Sequence, residues 1–188
     1  MVNPHEDQLA IVDSKYDEWR ACFERERDRV IDALESAELD TRVRRIEHVG
    51  STSVPDLGAK DIVDLDIVVG DDAVAAVSRA IESELGGTRY ENSETWHPVF
   101  REENGQRFND HVFAASGDGW KVSIATVAVL RGRPDLRSEY EQLKRETASE
   151  TDDLETYGTS KSEFIGEVLD AAREMDDLDL AFEVPSSR

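Results

Sequence analysis

Apolar residues first fall at helical spacing between 13 and 36, where Trp19, Cys22, Phe23, Val30, Ala33 and Leu34 form one stripe. Asp13 or Ser14 is the expected cap of this helix, and Ser36 its expected end. The period then shortens. Residues 41–48 and 61–69 read as strands, the second being a run rich in Val and Ile. Asp71-Asp72 opens an Ala-rich helix that Gly86-Gly87 stops. Shorter strands follow at 88–90, 99–102 and 108–114, separated by Asn and Gly turns. Between 120 and 130 the Val, Ile and Thr content favours a strand, and helices return at 136–150 and 160–175. The order predicts an α+β fold, a mixed sheet with helices on one side. A length of 188 residues without a composition shift predicts one domain over 1–188, frayed at 1–9 and 176–188.

One stretch of this pattern carries candidate chemistry. Asp64 and Asp66 interrupt the apolar strand at i and i+2, which puts both carboxylates on one face. Two converging anions repel unless a cation or a shared proton relieves them, so the pair points to a divalent metal. Ahead of it, Gly50-Ser51-Thr52-Ser53 follows a predicted strand and offers a turn whose N–H groups can cradle phosphate. The predicted site lies at the sheet edge beside this turn. Lys60 sits between turn and strand, and Arg101 and Arg107 flank the region with guanidinium forks suited to phosphate. In Asn109-Asp110-His111-Val112, alternation allows only one of Asp110 and His111 to face the pair. His111 is either a base or metal ligand, or a hydrogen-bonded structural residue; His48, beside the turn, is read as shaping the loop.

The segment His48-Val49-Gly50-Ser51-Thr52-Ser53-Val54-Pro55, with Leu57, Ala59-Lys60 and Ile62-Val63-Asp64-Leu65-Asp66, resembles the signature of the GrpB family, an offshoot of the nucleotidyltransferase-fold superfamily. Tyr16-Asp17-Glu18-Trp19, Phe23 and Glu24 resemble that family's opening helix. Pro134, Tyr140, Leu143-Lys144, Tyr157, Lys161 and Phe164-Ile165 resemble its closing helical region, so the likeness runs from about residue 10 to 173. It implies a nucleotidyltransferase-like mixed sheet packed with helices, and a helix rather than a strand over 120–130, where Trp120, Ile124, Val127 and Leu130 take helical spacing.

For activity, the likeness implies transfer of a nucleoside monophosphate from an NTP to a small-molecule or protein acceptor. Gly50 and Ser51, with Thr52 and Ser53, would contact phosphate; Asp64 and Asp66 would hold Mg²⁺ (or Mn²⁺); His111 matches the family's histidine and Lys161 a family lysine. Two departures bear on this. Lys60-Asp61 stands where many relatives read Lys-Pro, and Thr126-Val127-Ala128-Val129 carries no counterpart of an Arg-Asp pair found after a Trp in the family. The other reading is a catalytically inactive module that binds or senses nucleotide or phosphate on the same fold.

Composition adds an independent expectation. The chain has 43 acidic against 22 basic residues, a formal net charge of −21, and a pI near 4.4. Only Lys15, Lys60, Lys121, Lys144 and Lys161 are lysines. Such surfaces suit salt-loving organisms, because a Debye length of about 3 Å at 1 M salt screens the self-repulsion. The same charge disfavours nucleic acid as a partner. A single cysteine, the lack of a signal stretch and the lack of an apolar run of membrane length lead to the expectation of a soluble, cytoplasmic protein.

Overall fold

The computed structural model describes residues 10–150, 154–175 and 178–186. Five strands, β1 (Val43–Val49), β2 (Ile62–Val69), β3 (Thr88–Arg89), β4 (Trp96–Glu103) and β5 (Gln106–Ala114), form one mixed sheet in the order β1-β2-β5-β4-β3. β2 and β5 run parallel and the other pairs are antiparallel. The helices are α1 (Tyr16–Ser36), α2 (Val74–Leu85), α3 (Gly119–Gly132), α4 (Pro134–Glu150) and α5 (Leu154–Glu174). The architecture is therefore α+β, as expected.

Pleat alternation decides what each face does. Val63, Leu65, Ile67 and Val69 of β2 point to one side and pack with Phe108, Val112 and Ala114 of β5 beneath α1 and α2, whose Trp19, Val30, Leu34, Val74, Val77 and Ile81 complete the main core. Helices were expected on one side of the sheet only. Instead, α3 lies against β1 and β2, and Trp120 packs there with Val68 and Phe113. A further cluster ties α3, α4 and α5 together through Val127, Leu130, Tyr140 and Phe164. Helices thus cover both sides of the sheet.

Other boundaries moved for identifiable reasons. Residues 120–130 are helical, as the family likeness implied; Trp120, Val127 and Leu130 are buried on one helical face, which outweighs the strand propensity of Val and Ile. The strands predicted at 99–102 and 108–114 lengthen toward each other across Asn104-Gly105. Both turn residues have positive φ (51° and 81°), the geometry of a two-residue hairpin, and Glu103 pairs with Gln106. Neither Asp13 nor Ser14 caps α1; its N-cap is Lys15, without a side-chain cap bond. Asp61 ties the helix start down instead, accepting hydrogen bonds from Lys15 Nζ (2.7 Å) and Trp19 Nε1 (2.8 Å). The charge that departs from the family pattern thus joins α1 to the entry of β2.

The expected frayed segment at 1–9 lies outside the described residues. Within the tail, residues 178–186 run back over α3: Phe182 meets Trp120 edge-on at 5.0 Å, and Arg173 donates to the Pro185 carbonyl.

Candidate functional site

The turn after β1 forms because Gly50 takes φ 69° and ψ −174°, a region essentially reserved for glycine. The short helical turn Ser51–Ser53 follows and is locked from three sides. Ser53 Oγ donates to the Gly50 carbonyl at 2.8 Å, and Arg131 of α3 donates through Nε and Nη2 to the Ser53 carbonyl at 3.0 and 2.7 Å. His48 Nε2 lies 3.1 Å from Thr52 Oγ1, with its ring stacked on Phe23 at 4.8 Å. Burial, against a smaller opposing pull from Asp64, lowers the His48 imidazole to about 4. His48 therefore shapes the loop, and the hydroxyls of Thr52 and Ser53 are occupied within it.

A Cβ at Gly50 would stand 2.3 Å from Asp64 Oδ2. The bare glycine is thus what lets the turn approach the carboxylate. Gly50→Ala is expected to lower stability by about 1–3 kcal/mol through forbidden backbone and this clash. Urea unfolding of the two chains checks it.

Parallel pairing sets Asp64 beside Asn109 and Asp66 beside His111, all on the face turned toward α3. Asn109 Nδ2 donates to Asp64 Oδ1 at 2.7 Å, and His111 Nε2 lies 3.9 Å from the same oxygen. Burial pushes the Asp64 carboxyl up, but His111, Lys161 and Asn109 outweigh it and hold it below the usual carboxylate range. Asp64 keeps a quarter of its side chain exposed. Asp66 lies behind it, fully buried, and neither carboxylate oxygen has a hydrogen-bond partner. Desolvation, only partly relieved by His111 and by the Ser123 hydroxyl and reinforced by repulsion from Asp64 and Glu47, raises Asp66 to about 7.

On the imidazole of His111, burial alone would favour the neutral form; Asp64, Asp66 and Asp110 outweigh it and raise its pKa. The Trp96 indole Nε1–H donates to Nδ1 at 3.2 Å, which in the neutral ring assigns the proton to Nε2, toward Asp64. Nδ1 is therefore engaged, whereas Nε2 stands 3.9 Å from Asp64 Oδ1, beyond hydrogen-bond length. Asp110 points the other way, as alternation required, into a buried cluster with Arg101 and Glu26.

A cleft of about 240 Å³ opens in front of Asp64, lined by Ser51, Thr52, Ala59, Lys60, Ile62, Asn109, Tyr140, Lys144 and Lys161. A smaller annex of about 100 Å³ shares Ser51, Tyr140 and Lys161 with it and is otherwise walled by α3, Gly50 and Ile165. The structure thus gathers Gly50, Ser51, Thr52, Lys60, Asp64 and Lys161 around connected space at the N-terminal end of β2, an interior strand and not a sheet edge. Asp66 and His111 stand behind this wall. Arg107 shares the strand face of Asn109 but does not line the cleft. Arg101 does not belong to the site. It is 1 % exposed on the opposite face, where Nε donates to Asp110 at 2.8 Å and its other nitrogens reach Glu26 and the Leu85 carbonyl.

The sequence reading missed Lys144 as a site residue. It is buried, donates to Ser51 Oγ at 3.0 Å and to the Gly58 carbonyl, and lies 4.8 Å from the Tyr140 ring centroid. Its signal was a lysine on the stripe Leu136, Tyr140, Leu143 and Thr147, in a chain with only five lysines.

Fold and cleft together define an α+β protein whose turn, carboxylates and lysines converge on one cavity. The family model described as GrpB protein matches residues 9–171, and the chain belongs to that family. It is 34% identical over 158 residues to a UPF0157 protein of Deinococcus radiodurans, covering 83% of this chain and 78% of that one. It is 32% identical over 162 residues to a UPF0157 protein of Streptomyces coelicolor, covering 85% and 82%. The crystal structure of the conserved protein GrpB from Enterococcus faecalis matches with a TM-score of 0.73 at 23% identity, over 88% of this chain and 98% of that one, which fixes the fold. No helix among the described residues is long and apolar enough to cross a membrane.

Proposed function

We propose that the cleft binds a nucleoside triphosphate together with a divalent cation, and that the protein transfers the nucleoside monophosphate to an acceptor. The observation that carries this is the arrangement of Asp64 and Asp66 on one strand face behind a glycine–serine turn, with Lys60, Lys144 and Lys161 around the cavity. Two carboxylates suit Mg²⁺, which takes few protein ligands and completes its octahedron with water and phosphate oxygens. The buried, partnerless oxygens of Asp66 fit that role. No cluster of three or more His, Cys, Asp or Glu that could hold a metal occurs among the described residues, so a cage made of protein alone is not the reading. When bound, the cation would supply neutralisation of phosphate charge and alignment of the α-phosphate. Ser51 and the lysines would hold the phosphate chain, and Asn109 and His111 keep Asp64 oriented and ionised.

A second reading, a nucleotide- or phosphate-binding module without turnover, is favoured by one observation. No general base lines the cleft from β5: Asn109 is an amide, and His111, its Nδ1 taken by the Trp96 indole, stands behind the cleft wall.

Calorimetric titration of ATP, GTP, CTP and UTP with Mg²⁺ in molar KCl tests both readings, alongside Asp64→Asn/Asp66→Asn. Metal-dependent binding that drops at least tenfold in the double variant is the expected result. No binding by the folded wild-type chain sinks both readings. Binding without transfer of labelled monophosphate to any acceptor tested selects the module.

A further inference from the structure

The sheet ends differently at its two sides. At one end β3 is two residues long and offers a further strand little to pair with. At the other, β1 runs for seven residues and pairs with β2 alone, so the N–H and C=O groups along its outer side meet no described strand. Such an edge is a template for another strand unless its side chains oppose one. The charges on β1 that share a face with Asp66 are Arg45 and Glu47, whose side chains are 32 % and 38 % exposed. Arg45 donates to Glu47 through Nε and Nη2 at 3.0 and 2.7 Å, and its guanidinium lies 5.3 Å from the Trp120 ring centroid. Two charges of one sign there would repel a second copy of the strand. Opposite signs placed symmetrically about Ile46 do the reverse.

We infer that β1 is the interface of a homodimer, in which two copies pair antiparallel, edge to edge, with the two-fold axis between their Ile46 residues. The inference is independent of what the cleft binds. Parity and charge together select this register. A two-fold axis perpendicular to the sheet keeps each face on its own side, so opposed residues share parity and one residue must face its own copy. If that residue were Arg45 or Glu47, like charges would meet. If it were Arg44 or His48, Arg45 would oppose Val43 or Glu47 would oppose Val49. With Ile46 at the axis, Arg45 of each copy opposes Glu47 of the other, and Ile46 meets its own copy on the α1 side. The four charges then alternate in sign around a square, and each guanidinium gains a second carboxylate. These three central pairs lie beyond the irregularity between Val43 and Arg45. A formal charge of −21 per chain opposes association at low salt. Molar salt screens that long-range repulsion more than it screens partly buried charges a few ångströms apart, so the dimer belongs to high salt.

The test is sedimentation equilibrium in molar KCl with reductant present. The samples are wild type, Arg45→Glu, Glu47→Arg and an equimolar mixture of the two variants, each chain first shown to unfold cooperatively in urea. The expected result is a dimer of the wild type. Each variant should dimerise about tenfold or more weakly, because its two copies would bring four like charges together. The mixture should form a heterodimer at close to wild-type strength, since the carboxylates of one variant then oppose the guanidinium groups of the other. Neither variant keeps the in-chain pair, so that rescue reports contact between copies alone. Wild type that stays monomeric up to about 1 mM overturns the inference. A dimer that both variants retain also overturns it, as does a mixture no more associated than its components. Should a charge reversal fail to fold, hydrogen exchange of wild type decides the matter. Amides of β1 should exchange more slowly as the chain associates, and unchanged exchange there in a dimeric sample overturns the inference.

Discussion

Arg101→Met is expected to destabilise the folded chain by about 3–5 kcal/mol, against a typical total of about 5–15 kcal/mol for a domain. The guanidinium is 1 % exposed and bridges two carboxylates that are equally hidden, Glu26 of α1 and Asp110 of β5. It also satisfies the Leu85 carbonyl at the end of α2. Methionine fills the volume but leaves two buried acids facing each other, and Asp110 is already pushed up by burial and by Glu26. Because the cluster joins both helices of this layer to the sheet, the loss should appear as a lower urea midpoint with an unchanged slope. Cleft ligands should bind the folded fraction as before, since Arg101 lies on the other face. A loss below about 1 kcal/mol would show that the cluster is not what holds this layer together.

The second large effect concerns pH. Burial pushes the Asp66 carboxyl up from its ordinary 3.8 to about 7 in the folded chain. A carboxyl with a raised folded pKa binds more protons folded than unfolded, so its contribution to stability falls as pH rises from about 4 to about 7. Roughly three units correspond to about 4 kcal/mol at most. Asp66→Asn removes that penalty. At pH 5 the variant should already be more stable by about 1–2 kcal/mol, and at pH 8 without divalent metal by about 2–4 kcal/mol. His48 works in the opposite sense. Its pKa is lowered from 6.5 to about 4, so the unfolded chain binds more protons between those values and stability rises with pH there. These two contributions oppose each other from about pH 4 to 6.5, so stability should rise more steeply with pH, or fall less, in Asp66→Asn than in the wild type. Urea unfolding at pH 5 and pH 8 measures both. Equal stability of variant and wild type at pH 8 would mean that Asp66 carries no buried charge.

Much of the site was legible because some consequences of sequence are local. A two-residue period is a property of the extended backbone, so Asp64 and Asp66 had to share a face wherever the strand lay, and Asp110 and His111 had to part. Gly50 similarly announced a turn at its own position. Residues 120–130 show the limit: their propensity pointed to a strand, and only burial beneath neighbouring elements made them a helix.

What the sequence by itself determined, then, was which residues travel together: the carboxylate pair, the glycine–serine turn and the strand and helix faces, each set by backbone period over a few positions. Tertiary structure decided where those faces point. The hairpin register sets Arg101 opposite Phe108 and so into the core, with Arg107 left on the side of Asn109. The packing of α4 through Tyr140 and Phe164 brings Lys144 against a serine 93 positions away. An arginine or a lysine reads the same in a sequence whether it offsets surface acid or stands buried without a counter-ion, because the difference lies in desolvation by residues distant along the chain.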